Sequence, residues 1–311
     1  MDFSDGRVLT CDAEIERASQ VSGCMPKTQS RIELNLQGVR TLELQLAKLT
    51  SGAFSDALAS AERAYAAGNH SFMKSPAAWA TTHLRRIMVG GDLEIASKDG
   101  MALAYVNVLQ HAIARWQHHP MFTSVAKGFV YEFHHSITML ATAGAMSDMG
   151  NRIGFTQTAE AFGRSPDMYV SVDHANRISI EIKAPVELQW PRPTPTLERF
   201  TTLIANRAKD ASKQFGEAGV GLLVIGASEL NSQSQSIFEA AVEAAIHSKN
   251  ISRRIAAIVG VHLSGQPEIK HVGVDSLATS NSFRFFLRNN PAYIGPAFLR
   301  TVDRSTEEQG K

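Results

Sequence analysis

At 311 residues the chain is long for one α/β domain and short for two full ones, a length that suits a catalytic core with a sizeable helical extension. The apolar fraction of 44% and the charged fraction of 20% are ordinary for a soluble globular protein with a real core, and the formal net charge of +1 excludes a global electrostatic signature of nucleic-acid binding, so any basic surface must be local. Two cysteines, Cys11 and Cys24, lie outside any CxxC pair or spaced histidines and suggest neither a zinc site nor a disulfide framework. The opening Met1-Asp2-Phe3-Ser4-Asp5 has no basic or apolar secretory region, and no run approaches the roughly 18 apolar residues of a membrane span. A cytoplasmic, reducing location without membrane contact is the expectation.

Residues 1–30 are polar, mixed and without clear period, and read as loosely ordered or as a surface arm. Leucines at 34, 36, 42, 44, 46 and 49 predict a short strand passing into a helix over 32–49. The Ala-rich stretch 53–67 reads as a helix stopped by Gly68-Asn69. Pro76 suits the first position of a helix over 76–89 that ends at Gly90-Gly91. A further helical stretch covers 101–117 and closes before Pro120, with His118-His119 at its end. The first third, 1–120, is thus a helical region. Over 123–143, Val125, Phe129, Phe133, Ile137 and Leu140 recur at spacings of three and four and form one apolar stripe on a helix. Glu132 borders that stripe, where a carboxylate costs energy unless it is paired or bound to a metal. His134 and His135 follow it and read as ordinary helix histidines.

The period then changes to two. Met168, Val170 and Val172 alternate with Asp167, Tyr169 and Ser171; Asp173-His174-Ala175-Asn176 is turn chemistry; Ile178, Ile180 and Ile182 alternate with Arg177, Ser179, Glu181 and Lys183. This is a β-hairpin. A connector rich in proline (185, 191, 193, 195) follows and cannot be a central strand. Its Trp190 and Arg192 suit either a substrate-contacting loop or a structural plug. Phe200, Leu203, Ile204, Ala211 and Phe215 predict a helix over 197–216. Residues 222–225 read as a buried strand, 234–247 as a helix and 255–261 as a second buried strand. The order helix, hairpin, helix, strand, helix, strand indicates an α/β core with a mixed sheet over 121–265. Residues 266–311 form a C-terminal segment in which Arg284-Phe285-Phe286-Leu287-Arg288 reads as a packed amphipathic helix and the charged end, from Asp303, as a disordered tail.

Strand geometry gives the hairpin its chemistry. Side chains two apart share a face, so Glu181 and Lys183 point the same way, and Asp167 opposes the apolar set of its own strand. If the isoleucines and Met168/Val170/Val172 pack into one core, then Asp167, Glu181 and Lys183 converge on the other face. Two hard carboxylates and an ammonium suit Mg²⁺-assisted phosphodiester hydrolysis. Glu132 could add a third carboxylate, directly or through water.

Pro166-Asp167 followed by Glu181-Ile182-Lys183, with Glu132 upstream, resembles the PD-(D/E)XK nuclease superfamily, over roughly residues 123–265. The resemblance implies a restriction-endonuclease-like fold, a mixed central sheet flanked by helices. It implies Asp167 and Glu181 as ligands of Mg²⁺ or Mn²⁺, the Ile182 carbonyl as a further ligand, and Lys183 as the catalytic lysine. The helix after the lysine strand often supplies another polar group in that superfamily; here Gln214 is the first candidate and Arg207 the second, while Lys209 and Lys213 fall on the opposite face. From Arg177 to Lys213 seven basic residues stand against four acidic ones, an excess that suits phosphate contacts. Gly219-Val220-Gly221 precedes a strand and is in the wrong context for a phosphate loop.

The expected function is a metal-dependent endonuclease acting on DNA, with a role in bacterial defence or restriction fitting that activity and a homodimer or higher oligomer following by analogy. The competing readings are a non-catalytic module that keeps the fold and an unrelated α/β interaction protein.

Overall fold

The computed structural model describes residues 32–69, 74–90, 97–156, 165–171, 177–215, 219–228, 232–248, 251–263, 270–271, 277–279 and 283–293. The expected arm over 1–30, Val172 with the hairpin turn 173–176, and the charged tail lie outside those residues.

In chain order the elements are β1 (Ile32–Leu34), α1 (Leu36–Leu49), α2 (Ala53–Ala66), α3 (Pro76–Gly90), α4 (Ser97–Trp116), α5 (Phe122–Tyr131), α6 (Phe133–Asp148), β2 (Arg152–Phe155), β3 (Met168–Ser171), β4 (Arg177–Lys183), a 3₁₀ turn (Val186–Leu188), α7 (Leu197–Gln214), β5 (Gly221–Ser228), α8 (Ser232–Ile246), β6 (Ile255–Leu263), β7 (Lys270–His271), β8 (Leu277–Thr279) and β9 (Phe283–Asn289). Among the described residues no helix is long and apolar enough to cross a membrane.

Local chemistry accounts for the helix ends. Asn35 caps α1 by accepting from the Gly38 N–H at 2.7 Å, and the helix buries Val39, Leu42 and Leu46 at helical spacing. Gly52 and Gly68 stand at φ +91° and +77° on either side of α2, a left-handed region that a side chain disfavours.

The single helix expected over 123–143 is two helices. Glu132 leaves helical geometry at φ −136°, ψ 46° and separates α5 from α6. In a straight helix, positions eight apart stand about 12 Å from one another. Here a Cβ added to Gly128 would lie 2.0 Å from Ser136 Oγ, so the chain folds back sharply and uses the missing side chain of Gly128 to do so. The spacing of apolar residues runs unbroken through the bend, which is why it could not reveal it.

The chain divides into two compact units. The helical unit comprises the described parts of residues 9–141 and 263–283. Its interior holds Trp79, Tyr105, Phe54 and Phe122, all essentially without solvent contact, and β1, β8 and β7 form a small antiparallel sheet with Ile32 opposite Thr279 and Lys270 opposite Ala278.

The sheet unit comprises the described parts of 142–262 and 284–311. Its six strands run in the order β2-β3-β4-β5-β6-β9, antiparallel across β2, β3 and β4 and parallel between β4 and β5. The fold is therefore mixed α/β, with helices flanking a mixed sheet. Phe200, Ile204, Ala208 and Ala211 of α7 and Phe238, Ala241, Val242 and Ala245 of α8 share one core with Leu223, Ile225, Ile255 and Ile258 of the sheet. Each such large apolar side chain contributes roughly 1.5–3 kcal/mol relative to exposure.

The segment 284–288, expected as a helix, is the strand β9. Arg284, Phe286 and Arg288 alternate with Phe285 and Leu287. Phe286 packs edge-on against Phe238, and Arg288 reaches Glu243 at 2.8 Å and Glu239 at 3.4 Å on α8. The strand β2 was not expected at all; Arg152-Ile153-Gly154-Phe155 is too short to show a period.

Candidate active site

The strand β4 positions the hairpin's charged residues. Ile178, Ile180 and Ile182 are buried on one face, with Ile180 opposite Met168 and Ile178 opposite Val170 on β3. Ser179, Glu181 and Lys183 therefore occupy the other face. In the parallel register with β5, Glu181 pairs with Leu223 and Lys183 with Ile225, both members of the core beneath α7 and α8. The charged pair thus stands at the margin of the helix-covered face.

Glu181 is only 3% exposed. A carboxylate so placed requires a compensating charge, and Lys183 Nζ donates to Glu181 Oε1 at 2.5 Å. The lysine keeps about a quarter of its side chain in solvent, so the pair bridges the core margin and the open surface.

Asp167 stands one residue before β3, after the buried Pro166, which favours extended backbone. Its carbonyl accepts from Thr156 N at 3.0 Å and so prolongs the β2–β3 ladder by one residue. Continuing the β3–β4 register by that residue sets Asp167 directly opposite Glu181, on the same face. The Asp167 carboxylate accepts from the Ile182 N–H at 2.7 Å. A residue's N–H and C=O leave a strand on the same side, so the Ile182 carbonyl is directed toward the Asp167 edge. Asp167, Glu181, Ile182 and Lys183 are thereby brought together.

The donor set fits a hard divalent cation. Two carboxylates and a carbonyl on one edge suit Mg²⁺, which keeps several waters and binds through one or two carboxylates. Among the described residues no group of three or more His, Cys, Asp or Glu side chains could hold a metal ion. Glu132 is exposed at the bend between α5 and α6, in the helical unit, not on a helix bordering an apolar stripe.

Gln214 ends α7 and is half-buried, as is Arg207, whereas Lys209 and Lys213 are exposed and Lys213 pairs with Asp210 at 3.2 Å. The helix packs on β4 and β5. Phe215, next to Gln214, and the Ser179 carbonyl both lie against Gly221, the β5 partner of Ser179, so this end of α7 lies at the level of Ser179, two residues along β4 from Glu181.

The proline-rich connector is tied to the end of β5. Gln189 Nε2 donates to the Gly226 carbonyl at 2.8 Å, and the Trp190 N–H donates to Ser228 Oγ at 3.0 Å. Trp190 is half-buried and Arg192 exposed.

The His134 ring makes T-shaped contacts with Tyr105 and Phe133, and burial pushes its pKa down to about 3. On β6, burial first and then the Arg284 charge push His262 down to about 4.

The face carrying Asp167 and Glu181 also holds residues that periodicity alone leaves without a role. Two residues along the ladder lie Gly154, Tyr169 and Ser179 side by side; two further lie Arg152, Ser171 and Arg177. Burial pushes the Tyr169 phenol up, against the charge of Arg177 nearby. The strand alternation already put Tyr169 opposite the apolar set, but β2 had to be seen before Arg152 could join it. Comparison with protein-family models, with curated proteins and with solved structures returns no match.

Proposed function

We propose that this chain is a metal-dependent nuclease of the PD-(D/E)XK type that hydrolyses phosphodiester bonds of DNA, an activity that would serve defence or restriction. The observation that carries the reading is the shared face: Asp167 opposite Glu181, with Lys183 two residues on and bonded to Glu181. Asp167, Glu181 and the Ile182 carbonyl would hold Mg²⁺ or Mn²⁺, which supplies Lewis acidity to the scissile phosphate and to the attacking water. The Ile182 N–H fixes the Asp167 carboxylate in orientation. Partly in solvent, Lys183 can donate to a water aimed at phosphorus or to a phosphate oxygen as negative charge grows there. Attack forms one P–O bond and breaks another, and the departing oxygen leaves with a proton from solvent.

The test is cleavage of plasmid, linear and heat-denatured DNA with Mg²⁺ or Mn²⁺, beside an EDTA control and a Lys183→Ala variant. The expected result is metal-dependent cleavage that falls about 10²–10³-fold in the variant, the usual cost of one transition-state donor. No cleavage, together with calorimetry showing no Mn²⁺ binding that depends on Asp167, would sink the nuclease reading in favour of an interaction protein. Mn²⁺ binding without cleavage would support a non-catalytic module.

A further inference from the structure

The outer wing of the sheet, β2, β3 and the first half of β4, has a chemistry of its own. Three ladder rows share the face of the carboxylates: Arg152–Ser171–Arg177, then Gly154–Tyr169–Ser179, then Asp167–Glu181. With a rise of about 3.4 Å per residue, the arginine row stands about 14 Å from the carboxylate row and the tyrosine row about halfway between. Arg152 and Arg177 are exposed, Tyr169 is half-buried, and the six positions of the first two rows carry no acid. A Cβ at Gly154 would meet nothing within 4 Å, so there is open space in the same row as the Tyr169 ring.

A helix pair or a partner strand would want an apolar face here. Two cations flanking a small residue, then an aromatic ring with room beside it, then a pair of carboxylates, match the phosphate, base and cleavage contacts of a polynucleotide in that order. A base can reach an aromatic face only when it is unstacked, which a single strand permits and a duplex resists.

We infer that this face docks an extended single-stranded polynucleotide, with Arg152 and Arg177 on its phosphates and Tyr169 stacking a base, and that the backbone runs on to Asp167 and Glu181. The inference rests on the nuclease reading and deepens it by naming the substrate class. The 14 Å span accommodates no more than about four nucleotides at the 3.4 Å rise of a stacked strand.

The test is fluorescence anisotropy of a labelled dT12 probe in EDTA, where nothing is cut, over a series of salt concentrations. Removing one phosphate contact lowers the slope of log affinity against log salt by about 0.7, the single-strand value, so Arg152→Ala and Arg177→Ala should each do so. Tyr169→Leu should weaken binding at least about fivefold, whereas Tyr169→Phe keeps the ring and should bind as the wild type does. A 12-base-pair duplex should bind more weakly and be indifferent to Tyr169→Leu. Wild-type affinity and slope in the Arg152→Ala/Arg177→Ala protein, with an unchanged circular dichroism spectrum, would overturn the inference, as would tighter binding of the duplex. Calorimetry with Mn²⁺ separates the two readings. Mn²⁺ bound through Asp167 with dT12 binding indifferent to Arg152, Arg177 and Tyr169 removes the platform alone. Binding of dT12 that depends on them, with no Mn²⁺ site, removes the nuclease reading alone.

Discussion

Glu181 and His262 show how burial sets the charge a side chain can carry. Glu181 is nearly inaccessible and depends on the Lys183 ammonium 2.5 Å away. Removing the lysine takes an ion-pair partner from a buried carboxylate, a destabilising change that Lys183→Met would share with Lys183→Ala, so a loss of activity must be read beside a melting curve. His262 has the opposite problem. It is 2% exposed on β6, and burial, helped by Arg284, holds its pKa near 4, below the ordinary 6.5. A group whose folded pKa is depressed contributes stability that is complete above its unfolded value and is lost as the pH falls toward the folded one. The urea midpoint should therefore drop between pH 6.5 and 4, by an amount corresponding to about 3 kcal/mol at most from this residue. In His262→Gln that part of the drop should disappear; an unchanged pH profile in the variant would remove His262 as its source.

At the scale of elements, β9 depends on a glycine. A Cβ at Gly260 of β6 would lie 2.1 Å from the Phe286 ring, and that ring is held against Phe238, itself stacked on Phe200. Alanine suits a strand better than glycine does, so at an open position the change would be neutral or helpful. Here the added carbon meets a ring that Phe238 already holds. Gly260→Ala is expected to destabilise the protein by about 1–3 kcal/mol, the usual cost of overpacking, as a lower thermal or urea midpoint. Adding Phe286→Leu should recover part of the loss. A Gly260→Ala protein as stable as the wild type would show that β9 moves easily. The bend at Glu132 works by the same device, since Gly128 leaves the space that Ser136 Oγ occupies.

At the scale of the whole molecule, neither compact unit is continuous in sequence. The sheet unit resumes at residue 284 after an excursion over 263–283 that belongs to the helical unit. A fragment of residues 121–265, the core expected from the sequence, therefore lacks β9 and leaves Phe238, Gly260 and the α8 carboxylates Glu239 and Glu243 without their partners Phe286 and Arg288. Such a fragment should unfold without a cooperative transition, while one that extends from 121 through 293 regains its edge strand. A sharp two-state melt of the shorter fragment would show that β9 is dispensable.

Local chemistry alone determined much of this protein. Periodicity and turn residues were enough for the helices near 53–67, 76–89, 197–216 and 234–247 and for the hairpin that aligns Glu181 with Lys183, and unbroken apolar runs were enough for the buried strands β5 and β6. The chemistry of the candidate site was legible for the same reason: in a strand, sharing a face is a matter of counting by two. Tertiary structure decided the rest. The bend at Glu132 comes from the close approach of Gly128 to Ser136, and a continuous apolar stripe is silent about it. β9 is a strand because Phe286 fits over Gly260, a partner 26 residues earlier, while its short run of aromatics and arginines suits a helix equally well on its own. The alignment of Arg152, Tyr169 and Arg177 with the carboxylates depends on the register of three strands, and register is a property of pairing that no single segment carries.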